Sequence, residues 1–191
     1  MEMDSKEKIR AFLALPLAGA FENSVRPLLE KLKVQYPEIK WVQASQIHLT
    51  LHFFGDIHLR EVEKISRAVS PLVQTAKPAQ LLLRGVGAFP NDSQPRIIWA
   101  GIEGEVEALA LFHLKLESGL KQAGFRGEKR SFKPHLTLGR VREGRSPPLL
   151  KNIELGPTEV KQISEIILYQ SILSPAGPHY ETLQTFPLSA A

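Results

Sequence analysis

The sequence predicts an α+β fold built on largely antiparallel sheets. Three observations point there. Strand-like segments follow one another without an intervening helix, as in 80–89 and 96–102. Three segments with helical apolar spacing are distributed between the strands. The tetrapeptide His-Leu-Thr-Leu occurs twice in strand-like settings, at 48–51 and 135–138, and such a repeat suggests two related halves.

Ile9–Leu15 is an apolar run short enough for a buried strand, closed by Pro16. The preceding Lys6, Lys8 and Arg10 give this region the look of a secretion signal. Glu2, Asp4 and Glu7 cancel those charges, and Pro16 interrupts the run. The strand reading and a cytoplasmic location are therefore expected. Residues 21–36 carry a helical stripe through Val25, Leu28, Leu29 and Leu32, with Asn23 or Ser24 as cap and Pro27 in the first turn. Residues 47–53 alternate as a strand that Gly55-Asp56 should end. A second helix spans 60–75, with Val62, Ile65, Val69, Leu72 and Val73 on one side. The apolar runs 80–89 and 96–102 flank Pro90-Asn91-Asp92-Ser93 and read as a hairpin. A third helix covers 106–122 and stops at Gly124. Strands follow at 135–141, 163–172 and 179–188, with a loop at 142–148 and a turn at 174–178. No linker-like stretch divides the chain.

Hydrophobic residues are 43% and charged residues 23% of the 191, a balance that argues against disorder. No apolar run approaches the roughly 18–20 residues of a membrane-spanning helix. The absence of cysteine excludes disulfides, thiolate metal sites, iron–sulfur clusters and cysteine nucleophiles together. Charge is unevenly placed. Between Lys121 and Arg145, eight basic residues face only Glu128 and Glu143, a net +6 that leaves the rest of the chain at −2. Such a stretch is either a solvated basic face or a site for an anion, most naturally a phosphate chain.

In a strand, residues i and i+2 share a face. Each copy of the repeat thus presents an imidazole and a hydroxyl together: His48 with Thr50, and His135 with Thr137. The leucines point to the core. Two imidazoles near neutral pH can act as acid and base at once. Threonine hydroxyls can donate to the oxygens of a centre between them. A tetrahedral, anionic phosphate suits that arrangement. Arg140 lies five residues beyond His135, so regular alternation turns it to the opposite face unless the strand bends.

Other readings have less to stand on. A two-histidine metal site lacks a third ligand, Asp56 being the only acid close after the first copy. No GxSxG elbow is present. Gly85-Val86-Gly87 lacks the third glycine of a dinucleotide-binding turn. His52, His58, His113 and His179 have no partner threonine and are read as structural or solvent-exposed. Phe53 and Trp99 are read as core residues, with base stacking as the alternative.

At these residues the sequence resembles the RNA 2′,3′-cyclic phosphodiesterase (2′-5′ RNA ligase) family of the 2H phosphoesterase superfamily. The likeness runs through Arg10–Pro16, Trp41-Val42, HLTLHFFGD at 48–56, Phe89-Pro90, Pro95–Gly101, Phe132–Arg140 and Ser171–Tyr180. It implies one domain over residues 1–191, made of two pseudo-symmetric lobes. Each lobe would carry one HxTx motif, with helices on the outer faces and a central cleft. It implies hydrolysis of RNA 2′,3′-cyclic ends to 2′-phosphomonoesters, with reverse 2′-5′ ligation possible, and neither metal, cofactor nor covalent intermediate. His48 would be the proton donor and His135 the acceptor, with Thr50 and Thr137 on the phosphate oxygens. Arg130, Lys133 and Arg140 are the candidates for binding substrate. The expected partners are RNA ends bearing a cyclic phosphate, tRNA fragments among them, with no membrane and no obligate protein partner. The residues themselves leave open which imidazole is the acid. They also leave open a binding module without turnover, or another activity of the superfamily.

Overall fold

The structure is a computed structural model that describes residues 8–127, 131–142, 152–174 and 177–189. Its strands are β1 (Lys8–Pro16), β2 (Lys40–Trp41), β3 (His48–His58), β4 (Ala79–Phe89), β5 (Ile97–Gly104), β6 (His135–Arg140), β7 (Lys161–Ile163), β8 (Glu165–Ser174) and β9 (Gly177–Pro187). Its helices are α1 (Ala18–Gln35), α2 (Glu61–Val73) and α3 (Val106–Gln122), with a 3₁₀ turn at Ala44–Gln46. Two sheets form. Sheet 1 has the order β3-β1-β8-β9 and sheet 2 the order β2-β6-β5-β4-β7. All the pairings are antiparallel.

The chain crosses between the sheets repeatedly, which is why no linker can be found in the sequence. β1 lies in sheet 1, β2 in sheet 2, β3 again in sheet 1, β4 to β7 in sheet 2, and the last two strands in sheet 1. Helix α1 packs against β2 and β7 of sheet 2. Helix α2 packs against β3 and β9 of sheet 1, and α3 against α2 and β4. A continuous core fills the space between helices and sheets. Leu13, Leu49, Leu51, Ile65, Leu81, Ile98, Leu136 and Leu138 are among its members.

Several boundaries depart from the sequence reading, each for a physical reason. Helix α1 starts at Ala18, so Leu17 takes the cap position in place of Asn23 or Ser24, and Pro27 sits inside the helix. Leu17 and Phe21 are both 0% exposed, and their burial extends the helix despite the hydrogen bond that an interior proline removes. Strand β3 continues past Gly55 to His58. Gly55 adopts φ +72°, which only glycine reaches freely, and forms a bulge opposite Ala11 instead of a stop. The apolar run 163–172 divides at Ser164. Lys161–Ile163 pairs with β4 in sheet 2, and Glu165 opens β8 in sheet 1. The loop expected at 142–148 lies outside the described residues beyond Arg142, and so do 175 and 176 of the expected turn.

Candidate active site

The two copies of His-Leu-Thr-Leu sit on strands that approach each other. β3 is the edge of sheet 1. β6 is covered by β2 only at Gly139 and Arg140, so its first half is an edge as well. Strands β3 and β6 are in contact, and the charge of His135 acts on His48. The leucines go to the core as expected: Leu49, Leu136 and Leu138 are 0% exposed and Leu51 2%. Thr50 is exposed and Thr137 half-buried.

Both strands carry a β-bulge at the fourth residue of the motif. In β3, Thr50 pairs with Ala14 and His52 with Leu13, leaving Leu51 as the extra residue. In β6, Thr137 pairs with Trp99 and Gly139 with Ile98, leaving Leu138 as the extra residue. An inserted residue reverses the alternation beyond it. His135, Thr137 and Arg140 therefore lie opposite Gly101, Trp99 and Ile97, all on one face of β5. The bend that would bring Arg140 to the histidine side is present. Its charge acts on His48, His135 and Tyr180. Gly139 is required beside the bulge, because a Cβ there would stand 2.6 Å from the Trp41 ring.

The bulge has the converse effect on β3. His52 turns into the core and is 1% exposed. Phe53 takes the position that Arg140 holds in β6. It is not a core residue, being 39% exposed with the Arg10 guanidinium 4.7 Å above its ring. Trp99 is half-buried against Phe89, with ring centroids 5.3 Å apart.

The same main-chain device orients each imidazole. His48 Nδ1–H donates to the Gln46 carbonyl at 2.8 Å, and His135 Nδ1–H donates to the Lys133 carbonyl at 2.6 Å. A carbonyl only accepts, so Nδ1 carries the proton in the neutral ring and Nε2 keeps its lone pair. Burial lowers both pKa values from the ordinary 6.5. The carbonyl bonds oppose that shift, and the positive charge of Arg140 adds to it. At neutral pH both rings are then poised as bases.

Aromatic side chains from distant strands wall the site, and nothing in the local sequence marks them for it. His48 lies 4.9 Å from Phe12 and meets Tyr180 edge-on at 5.2 Å. Tyr169 stacks on Phe12 at 5.3 Å. His135 meets Phe89 edge-on at 5.0 Å. A pocket of about 390 Å³ opens beside His48, with Gln43, Ser45, Gln46, Tyr169 and Tyr180 in its wall. His179 lines it too.

Behind the site, α3 braces the first motif strand, β3. His113 Nε2–H donates to the carbonyl of the bulged Leu51 at 2.9 Å, and its ring stacks on Phe132 at 3.9 Å and 8°. Glu117 accepts from His52 Nδ1. Of the candidate binding residues, Arg140 is at the site. Lys133 contributes its carbonyl and holds its ammonium 5.9 Å from the Phe89 ring centroid. Arg130 lies outside the described residues. Among the described residues no three His, Asp or Glu side chains are grouped to hold a metal ion, and no helix is long and apolar enough to cross a membrane.

Two antiparallel sheets that each carry one HxTx strand, with the two strands in contact, place the chain among the 2H phosphoesterases. Within that class, the chain belongs to the 2′-5′ RNA ligase superfamily, whose family model matches residues 21–171. It is 34% identical over 188 residues to the RNA 2′,3′-cyclic phosphodiesterase of Methanothermobacter thermautotrophicus, covering 95% of this chain and 100% of that one. It is 33% identical to the protein of the same name in Archaeoglobus fulgidus, over 93% of this chain and 99% of the relative. The fold is similar to the crystal structure of the Thermus thermophilus protein TT0787, with TM-score 0.78 and 29% identity over 94% of this chain and 98% of that one.

Proposed function

We propose that this chain hydrolyses RNA 2′,3′-cyclic phosphodiester ends to 2′-phosphomonoesters. One observation carries the reading: two carbonyl-anchored imidazoles, each beside a threonine, sit on facing strand edges with Nε2 unclaimed by the anchor. The names of the Methanothermobacter and Archaeoglobus relatives support the same substrate class.

The reaction is an in-line displacement at phosphorus. His135 Nε2 takes a proton from water as the water oxygen bonds to phosphorus. The bond from phosphorus to the 3′ oxygen breaks on the far side, and His48 gives its Nε2 proton to that oxygen. His48 must enter the step charged and His135 neutral. The approaching phosphate supplies the negative charge that raises the lowered affinity of His48 for its proton. Thr50 and Thr137 donate to the non-bridging oxygens as charge builds on them, and Arg140 neutralises it. With the 5′ hydroxyl of a second RNA in place of water, the same step forms a 2′-5′ linkage with the roles unchanged; the imidazoles exchange roles when the 3′ hydroxyl attacks that linkage and expels the 5′ oxygen. Residues 1–191 act as one domain, and Arg130 and Lys133 meet the RNA backbone through salt-sensitive contacts. tRNA fragments are one source of such ends.

The test is to incubate the protein with RNA bearing a 2′,3′-cyclic end and identify the product. A 2′-phosphate is expected, in the presence of EDTA as in its absence. A 3′-phosphate contradicts the assignment of the leaving oxygen, and an unchanged end removes the reading.

A further inference from the structure

We infer that the pocket beside His48 receives the uncharged nucleoside that carries the cyclic phosphate, and that Gln43 and Ser45 help it discriminate among bases. This rests on the reaction proposed above. In an in-line displacement the leaving oxygen lies on the side of the general acid. In a 2′,3′-cyclic end the leaving 3′ oxygen and the retained 2′ oxygen belong to one ribose. The terminal nucleoside must therefore lie on the side of His48, away from the water that His135 activates.

The lining fits such a guest. The pocket measures about 390 Å³, within the usual range for small-molecule sites of about 300–1,000 Å³. Its wall has two phenol rings, Tyr169 and Tyr180, the polar side chains of Gln43, Ser45 and Gln46, and His179. Among the described residues no Lys, Arg, Asp or Glu lines it. A polyphosphate would find no fixed positive charge on those walls, whereas a flat heterocycle with donor and acceptor edges finds ring faces and amides. The fixed charge lies outside those walls, on Arg140 of sheet 2, near enough to act on His48 and Tyr180. The site is divided accordingly, with the nucleoside against sheet 1 and the phosphate towards Arg140.

Ser45 is exposed on the 3₁₀ turn and Gln43 is exposed just before it, so both can be changed without touching the Gln46 carbonyl that anchors His48. Adenosine and uridine 2′,3′-cyclic phosphate are compared with methyl riboside 2′,3′-cyclic phosphate, which lacks a base. Ser45→Trp fills the pocket. It should raise KM for the base-bearing substrates about tenfold more than for the riboside, on the scale of losing one base stack, with the larger part of the loss in KM and not in kcat. Gln43→Ala should change the adenosine-to-uridine ratio of kcat/KM. Equal losses on all three substrates, or none, overturn the pocket assignment while leaving hydrolysis established. If the wild type hydrolyses none of them, the reaction falls and the pocket is judged by NMR titration with free adenosine and uridine. Binding that Ser45→Trp abolishes sustains the pocket. Binding that is absent, or equal in both proteins, overturns it.

Discussion

The half-site on β3 and the half-site on β6 share a backbone and differ in their surroundings. In each, a carbonyl two residues upstream holds the imidazole Nδ1, and a bulge at the fourth motif residue follows the threonine. Imidazole and hydroxyl are consequently presented in the same way twice. The fifth residue beyond each histidine then diverges. It is Phe53 in β3, packed under Arg10, and Arg140 in β6, whose charge reaches both histidines. His48 is walled by Phe12 and Tyr180, whereas His135 has Phe89 on one side and the exposed Lys133 and Arg140 nearby. Duplicated geometry supplies two equivalent proton carriers. The unequal linings would give the pair a direction under the proposed reaction, with the uncharged nucleoside towards sheet 1 and the anion towards sheet 2.

The largest effects should come from breaking the shared part. His48→Ala and His135→Ala are each expected to lower turnover at least ~10²-fold on cyclic-phosphate ends, the usual scale for a general acid or base. Full activity in either variant would remove the acid–base pair. Arg140→Gln should cost less and should act on both halves. Its positive charge disfavours protonation of His48 and His135, so removing it lets both pKa values rise. The bell-shaped profile of kcat/KM should move to higher pH as KM rises. A profile that stays in place would mean that Arg140 does not face the site.

A smaller loss is expected from the brace behind the first half. His113→Ala removes the donor to the Leu51 carbonyl and the ring stacked on Phe132. Leaving that carbonyl unpaired costs about 1–3 kcal/mol, read as a lower denaturation midpoint. The smallest effect is the pH dependence of stability. Burial holds the folded pKa values of both histidines below 6.5, so the unfolded chain takes up protons first as pH falls. Stability is retained above about pH 6.5 and declines below it towards the lowered values. His48→Ala should flatten that decline in a series of melting temperatures. An unaltered slope would show that His48 is not buried in its neutral form.

The residues proposed to carry the chemistry are legible because the signal is local: period 2, repeated twice, with leucines on the other face. The third helix was legible for the same reason, its bounds at 106–122 being those of α3. Three things were not. A bulge has no signature in its own strand, because it is fixed by the partner strand's register. The position of Arg140 could therefore be framed only as a condition, and Phe53 was misread as core. The anchoring carbonyls of Gln46 and Lys133 belong to the main chain and leave no trace in side-chain identity. The rings of Phe12, Phe89, Tyr169 and Tyr180 arrive from four strands, and only sheet topology brings them to the histidines.

The central claim is that both imidazoles serve one phosphorus in one step. The most direct measurement is the turnover of the double variant His48→Ala/His135→Ala beside its two singles. Groups that act as a unit are strongly non-additive. The double variant should therefore be about as slow as the slower single. Losses that multiply would mean two imidazoles working independently, and would contradict the shared site.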